Sequence, residues 1–303
     1  MRALVIGYGS IGARHARLLG DLGCNTAVVS AHAHDFPCTY RTLAAALSGF
    51  RPDYTVIANA TADHFNTLND LSDAGYDGLV LVEKPLFAGP CLLPDYRFSG
   101  LWVGYNLRFH PVIQYVKKLL QGERVISANA YVGQYLPDWR PETDYRTSYS
   151  ADAERGGGVL KDLSHELDYL ALLLGQWSCV AAIGGHFSPL EINSDDLFVL
   201  LFQSTQCPAI ALQVSYLDRM VQRRFTINTE QRTIIADLVS CSVMDNGRRV
   251  DLVCDRDTTY REMHSAVLAG GTEDLCSIEQ GYDVLQLIAA AEESSTKKIW
   301  VSR

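Results

Sequence analysis

The stretch VIGYGSIGARHARLLG, Val5 to Gly20, decides the fold. Its glycines Gly7, Gly9 and Gly12 stand between the apolar run Ala3-Leu4-Val5-Ile6 and a segment where Ile11, His15, Leu18, Leu19 and Leu22 recur at helical spacing. So short an apolar run reads as a strand buried on both faces of a parallel sheet, and Gly23 stands where the helix C-terminal cap belongs. In a strand, turn, helix context the three glycines serve different ends, namely a tight turn, close approach of backbone to a pyrophosphate, and close packing of helix on strand. The helix N-terminus adds amide donors and the positive end of a dipole, which favour a phosphate at Ser10, Ile11 and Gly12. A purely structural corner is the competing reading; the placement of strand and helix around the glycines favours a nucleotide site.

The chain of 303 residues is long enough for two domains, each with its own core. A formal charge of −9 and a pI near 5.3 argue against sequence-independent binding to nucleic acid or to an anionic membrane surface. No apolar run approaches the ~20 residues that span a bilayer. The first residues enter a strand at once, which leaves no room for a signal peptide and points to the cytoplasm. Eight cysteines are scattered without a CxxC pair, so reduced thiols are expected rather than a disulfide framework or a metal site.

Up to about residue 109 strands and helices alternate, as in Thr26–Ser30, Thr42–Leu47, Tyr54–Ala58, Ala62–Ala74 and Gly78–Val82. Such alternation means a doubly wound parallel sheet covered on both faces. The strand Leu101–Tyr105 and a helix from about His110 to Gln121 finish this half. Beyond Arg124 the runs Ile126–Tyr135, Leu197–Gln203, Ile210–Tyr216, Phe225–Thr229 and Thr233–Leu238 alternate apolar and polar residues. They predict a large, mostly antiparallel sheet, interrupted by helices at about Leu160–Leu174 and Ile278–Ser294. The expected division is a dinucleotide-binding α/β domain over residues 1–120 and an α+β domain over residues 121–303.

Further motifs carry a family likeness. Glu83-Lys84-Pro85 follows a buried strand; VIANATADHFNTL spans Val56 to Leu68; GGGVLKDLSHELD, Gly156 to Asp168, opens a helix; and EDLCSIEQGYDVLQLIAAAEES spans Glu273 to Ser294. With the N-terminal glycines, and in this order, they closely resemble the glucose-fructose oxidoreductase and inositol dehydrogenase family, Gfo/Idh/MocA. The resemblance implies a Rossmann domain carrying NAD or NADP. The second domain's open sheet often forms subunit contacts in that family, hence a homodimer or homotetramer. The implied activity is oxidation or reduction of a hydroxyl-bearing carbon, usually on a sugar or sugar derivative. Gly7, Gly9 and Gly12 match the family's pyrophosphate turn, and Asn59, Ala60 and His64 match the segment bordering the cofactor. Glu83 and Lys84 match its Glu-Lys-Pro, whose lysine reaches both nicotinamide and substrate. His165 matches the histidine that exchanges the hydroxyl proton, and Asn106 and Arg108 match a segment lining the same cleft.

The chemistry wants these residue types. A hydride leaves an alcohol carbon readily only if the hydroxyl loses its proton in concert, so a base of near-neutral pKa belongs at the oxygen. An ammonium from Lys84 then stabilises the developing alkoxide. Lys84 read as a surface residue is the bland alternative, but the carboxyl end of a parallel strand is where ligands bind. His165 gains weight from Asp162 one turn away. The glycine run Gly156–Gly158 reads as backbone that comes close to a ligand. His15, His32, His34, His110, His186 and His264 are read as structural or solvated.

Two features depart from the family pattern. The family more often places its acidic residue four before the histidine, which is Lys161 here, whereas Asp162 is three before; either offset shares a helix face with His165. After the second strand the chain reads Ser30-Ala31-His32-Ala33-His34, with Asp35 late and no carboxylate at the usual ribose position. Ser30 could donate to a 2′-phosphate, so the balance tilts slightly to NADP. The long segment Val132 to Gly158 carries Trp139, Arg140 and Arg146, suited to a sugar ring and to an acidic, phosphorylated or nucleotide-linked group. It serves equally as an arm packing on a neighbouring subunit. Two rival functions stand: a hydrolase or isomerase that uses bound NAD transiently, and a non-catalytic dinucleotide-binding protein, which has no need of Lys84 and His165.

Overall fold

The computed structural model describes residues 1–32 and 36–303. Ala33, His34 and Asp35, and with them the late carboxylate after the second strand, lie outside the described residues. In chain order the elements are β1 (Arg2–Ile6), α1 (Ser10–Asp21), β2 (Asn25–Val29), β3 (Thr39–Tyr40), α2 (Leu43–Gly49), β4 (Tyr54–Ile57), α3 (His64–Asp73), β5 (Leu79–Val82), β6 (Gly100–Val103), α4 (Pro111–Leu119), β7 (Val125–Gly133), α5 (Val159–Asp162), α6 (His165–Leu174), β8 (Trp177–Gly185), β9 (Leu197–Ser204), β10 (Ile210–Ser215), β11 (Gln222–Thr229), β12 (Thr233–Asp237), β13 (Ser242–Asp245), β14 (Arg248–Asp251), α7 (Thr258–Leu268), β15 (Cys276–Ser277), α8 (Ile278–Lys297) and β16 (Val301–Ser302).

The chain divides into two units, Met1–Asn106 with Asp257–Tyr282, and Leu107–Arg256 with Asp283–Arg303. The texture of the sequence places the change near residue 120; the structure places it before α4. The physical reason is where α4 buries its apolar side: Val112, Ile113 and Val116 are buried, and the helix lies on β12 and β13. The return of residues 257–282 to the first unit has no local signal, because α7 docks on α1 and β15 pairs with β6 across long sequence separations.

The first unit holds a seven-stranded sheet in the order β15-β6-β5-β4-β1-β2-β3. β1 runs parallel to β2, with Val5 beside Val28, and to β4, with Val5 beside Val56. Ala3, Leu4 and Val5 are fully buried, as a strand covered on both faces requires. The strand order reverses between β1 and β4, which makes the carboxyl ends of these two strands the crevice where such sheets bind ligands.

The second unit holds a nine-stranded sheet in the order β14-β13-β12-β11-β7-β10-β9-β8-β16. Its pairings are antiparallel except for β7 with β10, where Leu212 lies beside Ala130. Alternation is plain in β9: Phe198, Leu200 and Phe202 are buried while Val199 and Leu201 are exposed. α4, α5 and α6 lie on the sheet, α5 against β9 and β10 and α6 against β7. The expected continuous helix over Leu160–Leu174 is instead two helices, broken at Leu163 and Ser164. β8, the β13–β14 hairpin, α7 and the short strands β3, β15 and β16 are elements that the sequence reading does not anticipate.

Candidate active site

In the first unit the three glycines of the β1–α1 turn meet three different surroundings. Gly7 has φ +92°, and a Cβ there would sit 2.6 Å from the backbone of Ala58 and Asn59, at the reversal of strand order. A Cβ on Gly12 would sit 2.0 Å from the Gly7 carbonyl oxygen, so only glycine lets helix and strand pack this closely. A Cβ on Gly9 meets nothing within 4 Å: it points into open space beside the helix N-terminus. The first bond of the helical ladder runs from Ala13 N–H to the Gly9 carbonyl at 2.9 Å, so the amides of Ser10, Ile11 and Gly12 precede it. This cradle of open space and outward amides fits a dinucleotide pyrophosphate.

Neighbouring strand ends add side chains. After β4, Asn59 donates from Nδ2 to Thr67 Oγ1 at 2.8 Å, while its Oδ1 is buried with no hydrogen-bond partner among the described residues. Such an acceptor fits a hydroxyl or amide donor of a bound cofactor. Ala60 is exposed at the start of the turn leading into α3. His64 Nδ1 donates to the carbonyls of Pro85 and Leu86 at 3.2 and 3.1 Å, which leaves Nε2 as the lone pair; burial pushes its pKa down and keeps it neutral. Glu83 is buried, and Lys84 is half-buried beyond the end of β5. After β2, Ser30 Oγ accepts the His32 amide at 3.3 Å. Asn106 is buried and donates to Thr259 Oγ1 at 2.6 Å, a bond within the first unit's core.

In the second unit the first turns of α6 are pinned from two sides. Arg108 places Nε 3.0 Å from both oxygens of Asp168 and Nη2 2.7 Å from Oδ1, a buried fork, and Arg223 Nε lies 2.8 Å from Glu166. Arg108, expected to line the cleft, therefore acts on an internal carboxylate. His165, 9% exposed, is the first residue of this pinned helix.

Asp162 closes α5, on the other side of the helix break. Its carboxylate accepts hydrogen bonds from the hydroxyls of Tyr149 and Tyr216, the latter at 2.5 Å. Both phenols are pushed well above their usual pKa by burial and then by the Asp162 charge, so both remain donors. Because α5 and α6 are separate, Asp162 and His165 do not share one helix face through a regular turn. Lys161 faces elsewhere: its Nζ lies 4.0 Å from Glu292 and lowers the pKa of Asp195, countering the burial that raises it. Within the glycine run a Cβ on Gly156 meets nothing within 4 Å, but Gly157 differs from expectation. A Cβ on Gly157 would strike the Tyr149 carbonyl at 2.1 Å, so this glycine packs against the Tyr149 turn rather than leaving backbone open to a ligand.

The Val132–Gly158 segment brings Tyr149 to Asp162 and Trp139 edge-on to Tyr216 at 5.2 Å. Trp139 Nε1 donates to the Gln134 carbonyl at 3.2 Å. Arg140 is exposed. Arg146 pairs with Asp144 at 2.8 Å and Glu191 at 3.0 Å, both from its own surroundings, so its fork is engaged away from Asp162. Tyr149 is one of the aromatic residues the sequence places in this segment, whereas Tyr216 is absent from the expected site and sits just past β10 with no local signal of its role. His110, Cys241 and Cys254 form a further cluster, with ligand-type atoms all within 4.8 Å. His110 Nδ1 accepts the Val112 amide at 3.2 Å, so Nε2 carries the proton and presents a donor, not a lone pair, towards Cys241 Sγ.

Residues 125–302, more than half of the chain, match the family described as "Oxidoreductase family, C-terminal alpha/beta domain". No curated protein matches the sequence. Levoglucosan dehydrogenase, solved in complex with NADH, superposes with a TM-score of 0.85 at 18% identity, over 100% of this chain and 98% of that one. The WlbA dehydrogenase from Bordetella pertussis, solved with NADH and UDP-GlcNAcA, gives a TM-score of 0.77 at 18% identity, over 100% and 98%. An oxidoreductase from Agrobacterium radiobacter, solved with NAD+, L-tartaric acid and magnesium, gives 0.79 at 16%, over 100% and 98%. At these identities the likeness is one of fold. On the family match, the order of its motifs and this shared fold, the chain belongs to the Gfo/Idh/MocA oxidoreductase family.

Proposed function

We propose that the protein is an NAD(P)-dependent dehydrogenase or reductase acting on a CH–OH or carbonyl carbon of a sugar derivative. The observation that carries this reading is the β1–α1 turn, where Cβ atoms on Gly7 and Gly12 would strike backbone while one on Gly9 would enter open space. The bound dinucleotide supplies the acceptor or donor of the hydride. Gly9, Ser10, Ile11 and Gly12 hold its pyrophosphate, and Asn59 and Ala60 border it. His165 exchanges the hydroxyl proton, and Lys84 stabilises negative charge on the substrate oxygen. Asp162, with Tyr149 and Tyr216 donating to it, orients the substrate. Ser30 in place of a carboxylate admits NADP as well as NAD. Solved structures of the same fold hold NADH or NAD+, one of them with a nucleotide-linked acidic sugar, which supports a sugar-like substrate.

Two further points belong to this reading. None of the eight cysteines is in a disulfide among the described residues, which suits a reducing compartment such as the cytoplasm. Among the described residues no helix is long and apolar enough to cross a membrane. The open face of the nine-stranded sheet exposes Ile183, Val199 and Leu201 side by side, with Ile183 opposite Val199 on β8 and β9, and we assign it to a homo-oligomer contact.

The test is a screen of sugars, sugar acids, sugar phosphates and nucleotide sugars with NAD+ and NADP+, and of the matching carbonyl compounds with the reduced forms, following nicotinamide absorbance. Turnover with net change in absorbance is expected. Product formation without net change indicates transient use of the cofactor, and no dinucleotide binding at all overturns the reading.

A further inference from the structure

Buried polar side chains of the first unit form one unbroken line of hydrogen bonds. Glu83 Oε1 lies 2.9 Å from His15 Nε2, His15 Nδ1 lies 2.8 Å from His264 Nε2, and His264 Nδ1 lies 3.0 Å from Tyr54 Oη. The members come from α1, β4, α7 and the end of β5. His15, Tyr54 and His264 are fully buried and Glu83 is 6% exposed. The two imidazoles also meet edge to face, with ring centroids 5.0 Å apart.

The donors and acceptors can be matched in only one way when both rings are neutral. A carboxylate accepts, so His15 Nε2 carries a proton and donates. Its Nδ1 is then a lone pair, so His264 Nε2 donates to it, and His264 Nδ1 accepts from the Tyr54 hydroxyl. Burial, then the nearby His15, holds His264 well below its usual pKa; burial holds Tyr54 well above its own. Both groups thus stay in the forms this order needs. The line ends in the core at a phenol that keeps its proton, so it provides no exit for one.

What it does provide is a fixed carboxylate. Glu83 Oε2 accepts the Lys84 backbone amide at 3.1 Å, and a Cβ on Gly104 would lie 2.9 Å from Oε1, so only glycine leaves room for the group. We propose that Tyr54, His264 and His15 are positioning residues that hold the Glu83 carboxylate, and through it the backbone of Lys84, in the place the reaction needs. The proposal rests on the role given to Lys84 above. His15 lies on the same helix whose first turn takes the pyrophosphate, so the line also ties the cofactor turn to the lysine's strand end.

Nitrogen NMR on the full chain, labelled at histidine and lysine and without substrate, reads the line directly. At neutral pH both His15 and His264 are expected as Nε2–H tautomers. A doubly protonated ring or an Nδ1–H tautomer at either position overturns the assignment. In His264→Leu the Lys84 backbone amide should shift, and His264→Gln, whose amide still donates to His15, should restore it; an unmoved Lys84 amide in folded His264→Leu also overturns it. If that variant does not fold, Tyr54→Phe removes one hydroxyl, and unchanged His264 ring nitrogens there count against the line. With any substrate that the wild type turns over, His264→Leu should lower kcat by about 10²-fold, as a small misplacement of a reacting group does, with little change in the KM for dinucleotide. An unchanged kcat sinks the positioning role. The NMR arm uses no substrate, so failure to find a reaction and failure of the hydrogen-bond line are told apart.

Discussion

At Gly9 a side chain meets empty space, and at Gly12 it meets a carbonyl oxygen; the two glycines of one motif therefore answer to different forces. Gly9→Val is expected to leave the melting temperature near that of the wild type while abolishing dinucleotide affinity in calorimetric titration. Gly12→Ala should lower the melting temperature itself, because helix and strand must move apart. Retained affinity in Gly9→Val shows that the cradle is not the phosphate site. Lys84→Ala should cut turnover far more than dinucleotide affinity, and His165→Ala should cost on the order of 10²- to 10⁴-fold in rate with the fold intact. Asp162→Asn retains one acceptor for two phenols, so a smaller loss in rate with a raised KM is expected. Lys161→Ala, whose charge faces Glu292 and Asp195, should do little. If Lys161→Ala costs more turnover than Asp162→Asn, the roles assigned to this pair are reversed.

Helix α4 starts at a titratable cap. His110 Nδ1 accepts the Val112 amide, and burial with the nearby Arg223 charge brings the His110 pKa down to about 4. A protonated ring has no lone pair to cap with, and the unfolded chain takes up that proton at about pH 6.5. The resulting stability is therefore complete above about pH 6.5 and lost as pH falls towards about 4, an amount on the order of 3 kcal/mol. His110→Asn retains a good N-cap without titrating, so the drop in melting temperature between neutral and mildly acid buffer should shrink. An equal drop in both proteins assigns the acid sensitivity to other buried histidines, such as His64 and His264, whose pKa values are also lowered. A break at Leu163 and Ser164 separates α5 from α6. It resets the phase between Asp162 and His165, so an offset of three or four along one helix does not describe how they face each other.

For the whole molecule, the nine-stranded sheet is covered by helices on one side and exposes Ile183, Val199 and Leu201. Large apolar side chains grouped on a sheet face mark an association surface. Leu201→Asp should shift the mass measured by light scattering towards the monomer while circular dichroism stays unchanged. A wild type that is monomeric across the accessible concentration range removes the oligomer assignment.

The two sheet classes, the glycine turn between strand and helix, and the family are read from the sequence. These are legible because periodicity two, periodicity 3.6, and glycines between a strand and a helix are local constraints that backbone sterics impose within a few residues. Lys84 and His165 are proposed from the sequence because each adjoins such a signal, a strand end or a glycine run. Packing between distant elements set the rest. It returned residues 257–282 to the first unit, brought Tyr149 and Tyr216 to Asp162, turned Arg108 onto Asp168, and joined His15 to His264 across 249 positions of chain. Polar side chains in a core must find partners wherever the fold puts them, and those partners are chosen by packing between distant elements, for which no pattern of neighbouring residues exists.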